Sequence, residues 1–286
     1  MTARFSAWFV GACAAVGAIM AAVGAGAEDV AAGDVAARAR REDVSFVARF
    51  DGSTQRYVIV LPERFDPAVE HPLLVALHGH GSDRWQYVLD PRDECRVARD
   101  VAARRGMIFV SPDYRARTSW MGPAAESDVL QILDELKGRF RIGKTIVVGG
   151  SMGGTSALAL AAMNPERVDG VVAMNGTANL LEYENFQDAI RASFGGGKRE
   201  KPDQYKRRSA EYWPERFRMP MAVTTGGADR LVPPESALRL AAVVKRLQDH
   251  VLVIHRPQGG HETNYADGLA ALEFVVERVL GKNPAK

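Results

Sequence analysis

The chain has 286 residues, enough for one large α/β domain, and 47% of them are hydrophobic and 25% charged. Its 37 Lys and Arg stand against 35 Asp and Glu, a net charge of +2, which argues against nucleic acid or an anionic surface as the main partner. Two cysteines, Cys13 and Cys95, exclude a disulfide-framed scaffold.

Residues 1–27 hold one basic residue, Arg4, an apolar alanine-rich run, and Ala25-Gly26-Ala27 ahead of Glu28. This order predicts a secretory signal peptide cut after Ala27, hence a secreted or periplasmic protein with no stable membrane span once the signal is removed. An uncleaved anchor competes with it, because the run is close to spanning length. Residues 28–42 are alanine-rich and charged without a capped pattern and read as a flexible lead-in. The domain proper is then 43–286. Cys13 would leave with the signal, so Cys95 stays alone; its helical surroundings, DECRVARDVAARRG, mark an ordinary buried thiol.

Strand-like runs follow in the order VSFVARF, RYVIVLP, LLVALHG, MIFVSPD, TIVVGGS, DGVVAMNG, MAVTTGG and HVLVIHR. The first two are separated by a short turn, Asp51 to Gln55, and should pair as an antiparallel hairpin at one edge. The later runs are continuously apolar, as strands covered on both faces are. Between them lie helical patterns. SDVLQILDELKGRF repeats apolar residues at helical spacing, with Ser127 or Asp128 as its cap; PESALRLAAVVKRLQ opens on Pro234; NYADGLAALEFVVERVLG stops at Gly281. Alternating β and α elements predict a mostly parallel sheet with helices on both faces. Residues 177–220 are too long for a plain connection. They form either a solvated excursion or a lid over a substrate pocket before the acid-bearing strand.

The strand run TIVV enters Gly149-Gly150-Ser151-Met152-Gly153, and the helical run SALALAAM follows at once. A serine hydroxyl needs exposure, a base and a cradle for the oxyanion. A sharp strand-to-helix turn supplies the exposure, and it crowds the positions two before and two after the serine, here both glycine. Asp229 lies just past the MAVTTGG strand, and His261 lies in the loop after HVLVIHR. Ser151, Asp229 and His261 thus come in the chain order of α/β-hydrolases. In LLVALHGHGSD the backbone amide of His80 is the candidate partner of the Met152 amide in an oxyanion hole. Trp85, Tyr114 and Trp120 are candidate pocket residues. His78, His71, His250 and His255 sit at or before strands and are weaker candidates for the base.

LHGHGSD, VVGGSMGG, GGADRLVPP and GGHE resemble the four landmarks of the α/β-hydrolase superfamily, over roughly Ser45 to Leu280. Within it the chain resembles secreted esterases of the polyhydroxybutyrate depolymerase and feruloyl or acetyl-xylan esterase type. It is also similar to the catalytic domain of prolyl oligopeptidase-like enzymes, through RRSAEYWPERFRMPMAVTTGGADRLVPP. Ala210 departs from that segment, where a proline usually follows the serine, and no propeller-forming region precedes the domain, which argues against size-gated oligopeptide cleavage. The resemblance implies an eight-stranded fold, no cofactor and no metal, and catalysis by Ser151, Asp229 and His261. The expected activity is carboxylic ester hydrolysis through an acyl-enzyme, on a small-molecule or polysaccharide-linked ester. A prolyl oligopeptidase-like peptidase or an acyltransferase is the alternative, and a non-catalytic binding protein on a hydrolase scaffold a further one.

Overall fold

The computed structural model describes residues 40–282. The expected signal peptide, 1–27, and lead-in residues 28–39 lie outside the described residues. Eight strands form one sheet: β1 (Arg41–Val47), β2 (Thr54–Val60), β3 (His71–Leu77), β4 (Ile108–Pro112), β5 (Ile142–Gly150), β6 (Gly170–Met174), β7 (Met221–Gly226) and β8 (Val251–Arg256). Their order is β1-β2-β4-β3-β5-β6-β7-β8. Pairs β1/β2 and β2/β4 are antiparallel and all others parallel, so the fold is that of an α/β-hydrolase. The expected edge hairpin is there, but β1 begins at Arg41, inside the stretch read as lead-in, and ends at Val47 rather than Phe50. The chain turns at Gly52, whose φ of +74° suits a residue without a Cβ.

Helices cover both faces: α1 (Gln86–Leu89), α2 (Asp93–Arg104), α3 (Pro123–Arg139), α4 (Met152–Met163), α5 (Gln187–Phe194), α6 (Pro202–Arg208), α7 (Glu235–Leu247) and α8 (Tyr265–Leu280). Alternation along the strands divides the core. Leu73, Val75 and Leu77 of β3 face α3, α4 and α7; Leu74 and Ala76 face α2 and α8. Residues Val171 and Val172 of β6 are fully buried on opposite faces, which explains why its sequence is apolar without alternation. Among the described residues no helix is long and apolar enough to cross a membrane.

One expected cap moves. Helix α3 starts at Pro123 with Gly122 before it, four residues ahead of Ser127. Proline at the first helical position has no amide to leave unpaired. Asp128 therefore lies inside the helix, where it is buried and accepts from Arg115 Nε at 2.5 Å and Nη2 at 3.0 Å.

Residues 177–220 carry α5, α6 and two short 3₁₀ turns, Ala210–Tyr212 and Pro214–Arg216. They are no solvated excursion. Leu180, Ile190, Phe194, Tyr205, Ala210 and Phe217 are buried in the same core face as α4. Arg208, at the end of α6, is buried against Glu126 of α3 at 2.8 Å and donates to Met121 O at 2.5 Å. Burial lowers its pKa to about 10, against the pull of Glu126. Removing Arg208 leaves the buried Glu126 to the more exposed Arg207, at 3.0 Å, and takes the donor from Met121 O. Arg208→Met is expected to lower unfolding stability by about 3 kcal/mol, measured by urea denaturation.

Candidate active site

The turn between β5 and α4 is built by close backbone approach. A Cβ placed at Gly149 would run into the backbone of Gly153, and one at Gly153 into the carbonyl oxygen of Leu77. Only glycine lets the start of α4 sit this near the ends of β5 and β3. Ser151 pays with φ 59° and ψ −122°, a region that side chains avoid. Its amide donates to Met174 O at 2.8 Å and its carbonyl accepts from Thr155 N at 3.0 Å, so both neighbours hold the turn in place.

The three residues singled out in the sequence come together. Ser151 Oγ lies 2.8 Å from His261 Nε2, and His261 Nδ1 lies 2.6 Å from Asp229 Oδ2. A carboxylate only accepts, so Nδ1 carries the proton and Nε2 presents its lone pair to the serine. The Asp229 side chain is 1% exposed and that of His261 23%. Asp229 Oδ1 accepts from the amides of Leu231 and Val232, each at 2.9 Å, which fixes the carboxylate in the loop after β7. Water is thus kept from the acid while the imidazole edge stays reachable.

The His261 loop has its own anchors, which sequence reading missed. Ala228 N donates to Gly259 O at 2.9 Å and Gly227 N to Arg256 O at 2.8 Å, so the acid loop and the histidine loop are laced together. Thr263 Oγ1 donates to Asn175 Oδ1 at 2.6 Å and lies 2.6 Å from Thr224 Oγ1. Asn175 sits at the end of β6 with φ 49°, and an asparagine directly before Gly176 was the sequence signal for such a turn. Asn264 caps α8, accepting from Asp267 N at 2.9 Å.

On the opposite side is the loop after β3. Gly79 N donates to Gln86 Oε1 at 2.7 Å and Gly81 N to Arg117 O at 2.8 Å. Between them the His80 amide has no partner among the described residues, nor has that of Met152 at the start of α4. These are the two amides expected to face an oxyanion. The His80 ring accepts at Nδ1 from Trp120 Nε1–H, 3.2 Å away, which leaves its own proton on Nε2. Burial holds this imidazole below its ordinary pKa.

The pocket candidates fare differently. Tyr114 is 1% exposed and donates to His78 O at 2.6 Å; Trp120 is 0% exposed and packs on Tyr183 and Phe186 with ring centres 5.5 Å apart in each case. Both are props beneath the loop after β3 and offer no surface to a ligand. Trp85 is half-buried against the α2 and α8 face, with the Arg84 guanidinium 5.4 Å from its ring centre. His80 and Phe186, ring centres 4.4 Å apart, instead line a cavity of about 450 Å³ with Glu184, Gln187, Asp188 and Ala189. Three other histidines are engaged elsewhere: His78 is buried between the Gly79 and Asp113 carbonyls, His71 stacks on Phe65, and His255 pairs with Thr225 Oγ1; His250 is exposed just before β8. Cys95 is buried and its thiol is pushed up to about 12, chiefly by burial, so it stays protonated and inert at neutral pH.

Comparison with known proteins places this geometry. The model of the prolyl oligopeptidase family, Peptidase_S9, matches residues 96–271, a span that holds Ser151, Asp229 and His261. No curated protein matches the chain. Among solved structures, puromycin hydrolase is 23% identical with a TM-score of 0.69, over 87% of this chain and 40% of its own. Acylaminoacyl peptidase of Pyrococcus horikoshii is 15% identical with a TM-score of 0.67, over 87% and 43%. The fluorophosphonate-binding serine hydrolase F of Staphylococcus aureus is 17% identical with a TM-score of 0.61, over 82% and 96%. At these identities the likeness is one of fold. The chain spans less than half the length of the first two.

The close approach at the turn makes a sharp expectation. Gly153→Ala should destabilise the protein by about 3 kcal/mol through overpacking and abolish labelling of Ser151 by a fluorophosphonate. Gly138→Ala is the control: it lies in α3 with nothing within 4 Å of a new Cβ, and should raise stability by about 1 kcal/mol with labelling unchanged. Urea denaturation and gel-based probe labelling read both.

Proposed function

The chain belongs to the prolyl oligopeptidase family and is a serine hydrolase, and on that premise we propose that it is a serine peptidase cleaving acyl–nitrogen bonds of peptides or aminoacyl amides. The observation that carries the hydrolase part of this reading is His261 standing between Ser151 Oγ, at 2.8 Å, and Asp229 Oδ2, at 2.6 Å; the family match carries the choice of a peptidase. In the proposed reaction Ser151 Oγ attacks the scissile carbonyl carbon while His261 Nε2 takes its proton. The oxyanion is held by the amides of His80 and Met152 at the positive end of α4. His261 then hands the proton to the departing nitrogen, and water repeats the sequence on the acyl-enzyme. Asp229 keeps the imidazole in the required tautomer and offsets its transient charge.

Ester hydrolysis, the activity expected from the sequence, uses the same groups. The amide is preferred here because the family is one of peptidases, and because the fold relatives named acylaminoacyl peptidase and puromycin hydrolase point the same way. Export is proposed on the signal-like pattern of residues 1–27 alone.

The test compares an aminoacyl 4-nitroanilide with the matching p-nitrophenyl ester. Turnover of both, with burst release from the ester, is expected; Ser151→Ala should abolish it and Asp229→Asn should lower kcat about 10⁴-fold. An enzyme that hydrolyses the ester and leaves every anilide intact would return the reading to an esterase.

A further inference from the structure

Gly150, the residue directly before Ser151, has no side chain, and two polar groups from elsewhere border the space one would fill. A Cβ at Gly150 would lie 3.2 Å from Tyr87 Oη and 3.8 Å from Glu94 Oε1. Tyr87 is 1% exposed, and its hydroxyl has no hydrogen-bond partner. Glu94 lies in the first turn of α2, and its side chain is 18% exposed. Among the described residues its nearest cation is Arg92 at 3.5 Å, and that guanidinium is already committed to Asp90 through Nε at 3.0 Å and Nη2 at 2.8 Å. A buried, unpartnered hydroxyl and a poorly paired carboxylate thus both border Gly150, beside the nucleophile.

Their side of the nucleophile is also defined. Asp93, next to Glu94, accepts from Tyr265 N at 3.0 Å, so the start of α2 is tied to the chain just beyond His261. Burial pushes the Glu94 carboxyl above its ordinary range, Arg92 and His261 pull it back, and Asp90 adds to the rise. His261 gives its proton to the departing atom, so the leaving group must lie on the imidazole side.

We propose that Glu94, beside the buried and unpartnered hydroxyl of Tyr87, forms a leaving-group subsite for a cationic, N–H-rich group, a primary ammonium or a guanidinium, in the residue directly after the scissile bond. The inference rests on the peptidase reading above and extends it. An ammonium supplies the donor and the charge that the carboxylate lacks, whereas an apolar group of the same length would desolvate the carboxylate without replacing its water.

The test is protection of Ser151 from a fluorophosphonate probe by lysine amide against norleucine amide, which differ by the side-chain ammonium. Lysine amide should protect at about tenfold lower concentration, as expected for one charge-assisted hydrogen bond, and the gap should narrow as salt is raised. Glu94→Gln should close the gap whatever happens to the absolute labelling rate. Equal protection by the two amides in the native protein overturns the subsite and leaves the peptidase reading standing. So does a gap that survives in Glu94→Gln. Should Glu94→Gln fail to fold, the salt dependence in the native protein decides: a gap insensitive to salt overturns the proposal. Failure of the native protein to label at all overturns both readings together.

Discussion

The approach of the Gly153 backbone to the carbonyl oxygen of Leu77, with Gly149 pressed against it from the other side, is the contact on which the rest of the site depends. It sets the start of α4 against the ends of two adjacent strands, β3 and β5. From that position Ser151 is lifted clear of the sheet in a backbone conformation that would relax if the neighbours gave way. The same approach brings the first amide of α4 beside the loop after β3.

Around this turn every functional loop is held by its neighbours. The acid loop is closed by two amides on Asp229 Oδ1; the histidine loop is laced to it and pinned by Thr263 and Asn175; the loop after β3 is tied to Gln86 and to Arg117. Such cross-linking matters because the proposed catalysis needs reacting atoms within hydrogen-bond reach at the moment of attack. A dry carboxylate behind the imidazole and a reachable imidazole edge in front suit a base that must first accept and then return a proton.

The stretch 177–220 has a second part in this design. Its apolar residues complete the core over α4, and Tyr183 and Phe186 reach Trp120 and His80 at the edge of the site. The ring of His80 is thereby fixed in one tautomer by Trp120, while its amide has no partner among the described residues. In the proposed peptidase one insertion would thus serve both the stability of the core and the shape of the cavity lined by His80 and Phe186. The cationic subsite falls on the other side, where α2 meets the turn.

Much of the fold was legible in the residues. All eight strand runs were visible because buried parallel strands are continuously apolar, and the order Ser151, Asp229, His261 could be read because each residue ends or follows a strand run. Boundaries were less clear: β1 slipped by three residues, and α3 starts at a proline that periodicity does not mark. The pocket was misjudged for Tyr114 and Trp120, since an aromatic in a loop reads alike whether it faces a ligand or props the loop from below.

What the sequence by itself determined was local: apolar periods, glycines where backbones must touch, and chemistry-bearing residues at strand ends. What only the tertiary structure decided was which distant groups converge, such as Glu94 and Tyr87 beside Gly150 or Asn175 under Thr263. The reason is physical. Periodicity and glycine placement follow from covalent geometry over a few residues, whereas these encounters follow from how helices and loops pack across the whole sheet.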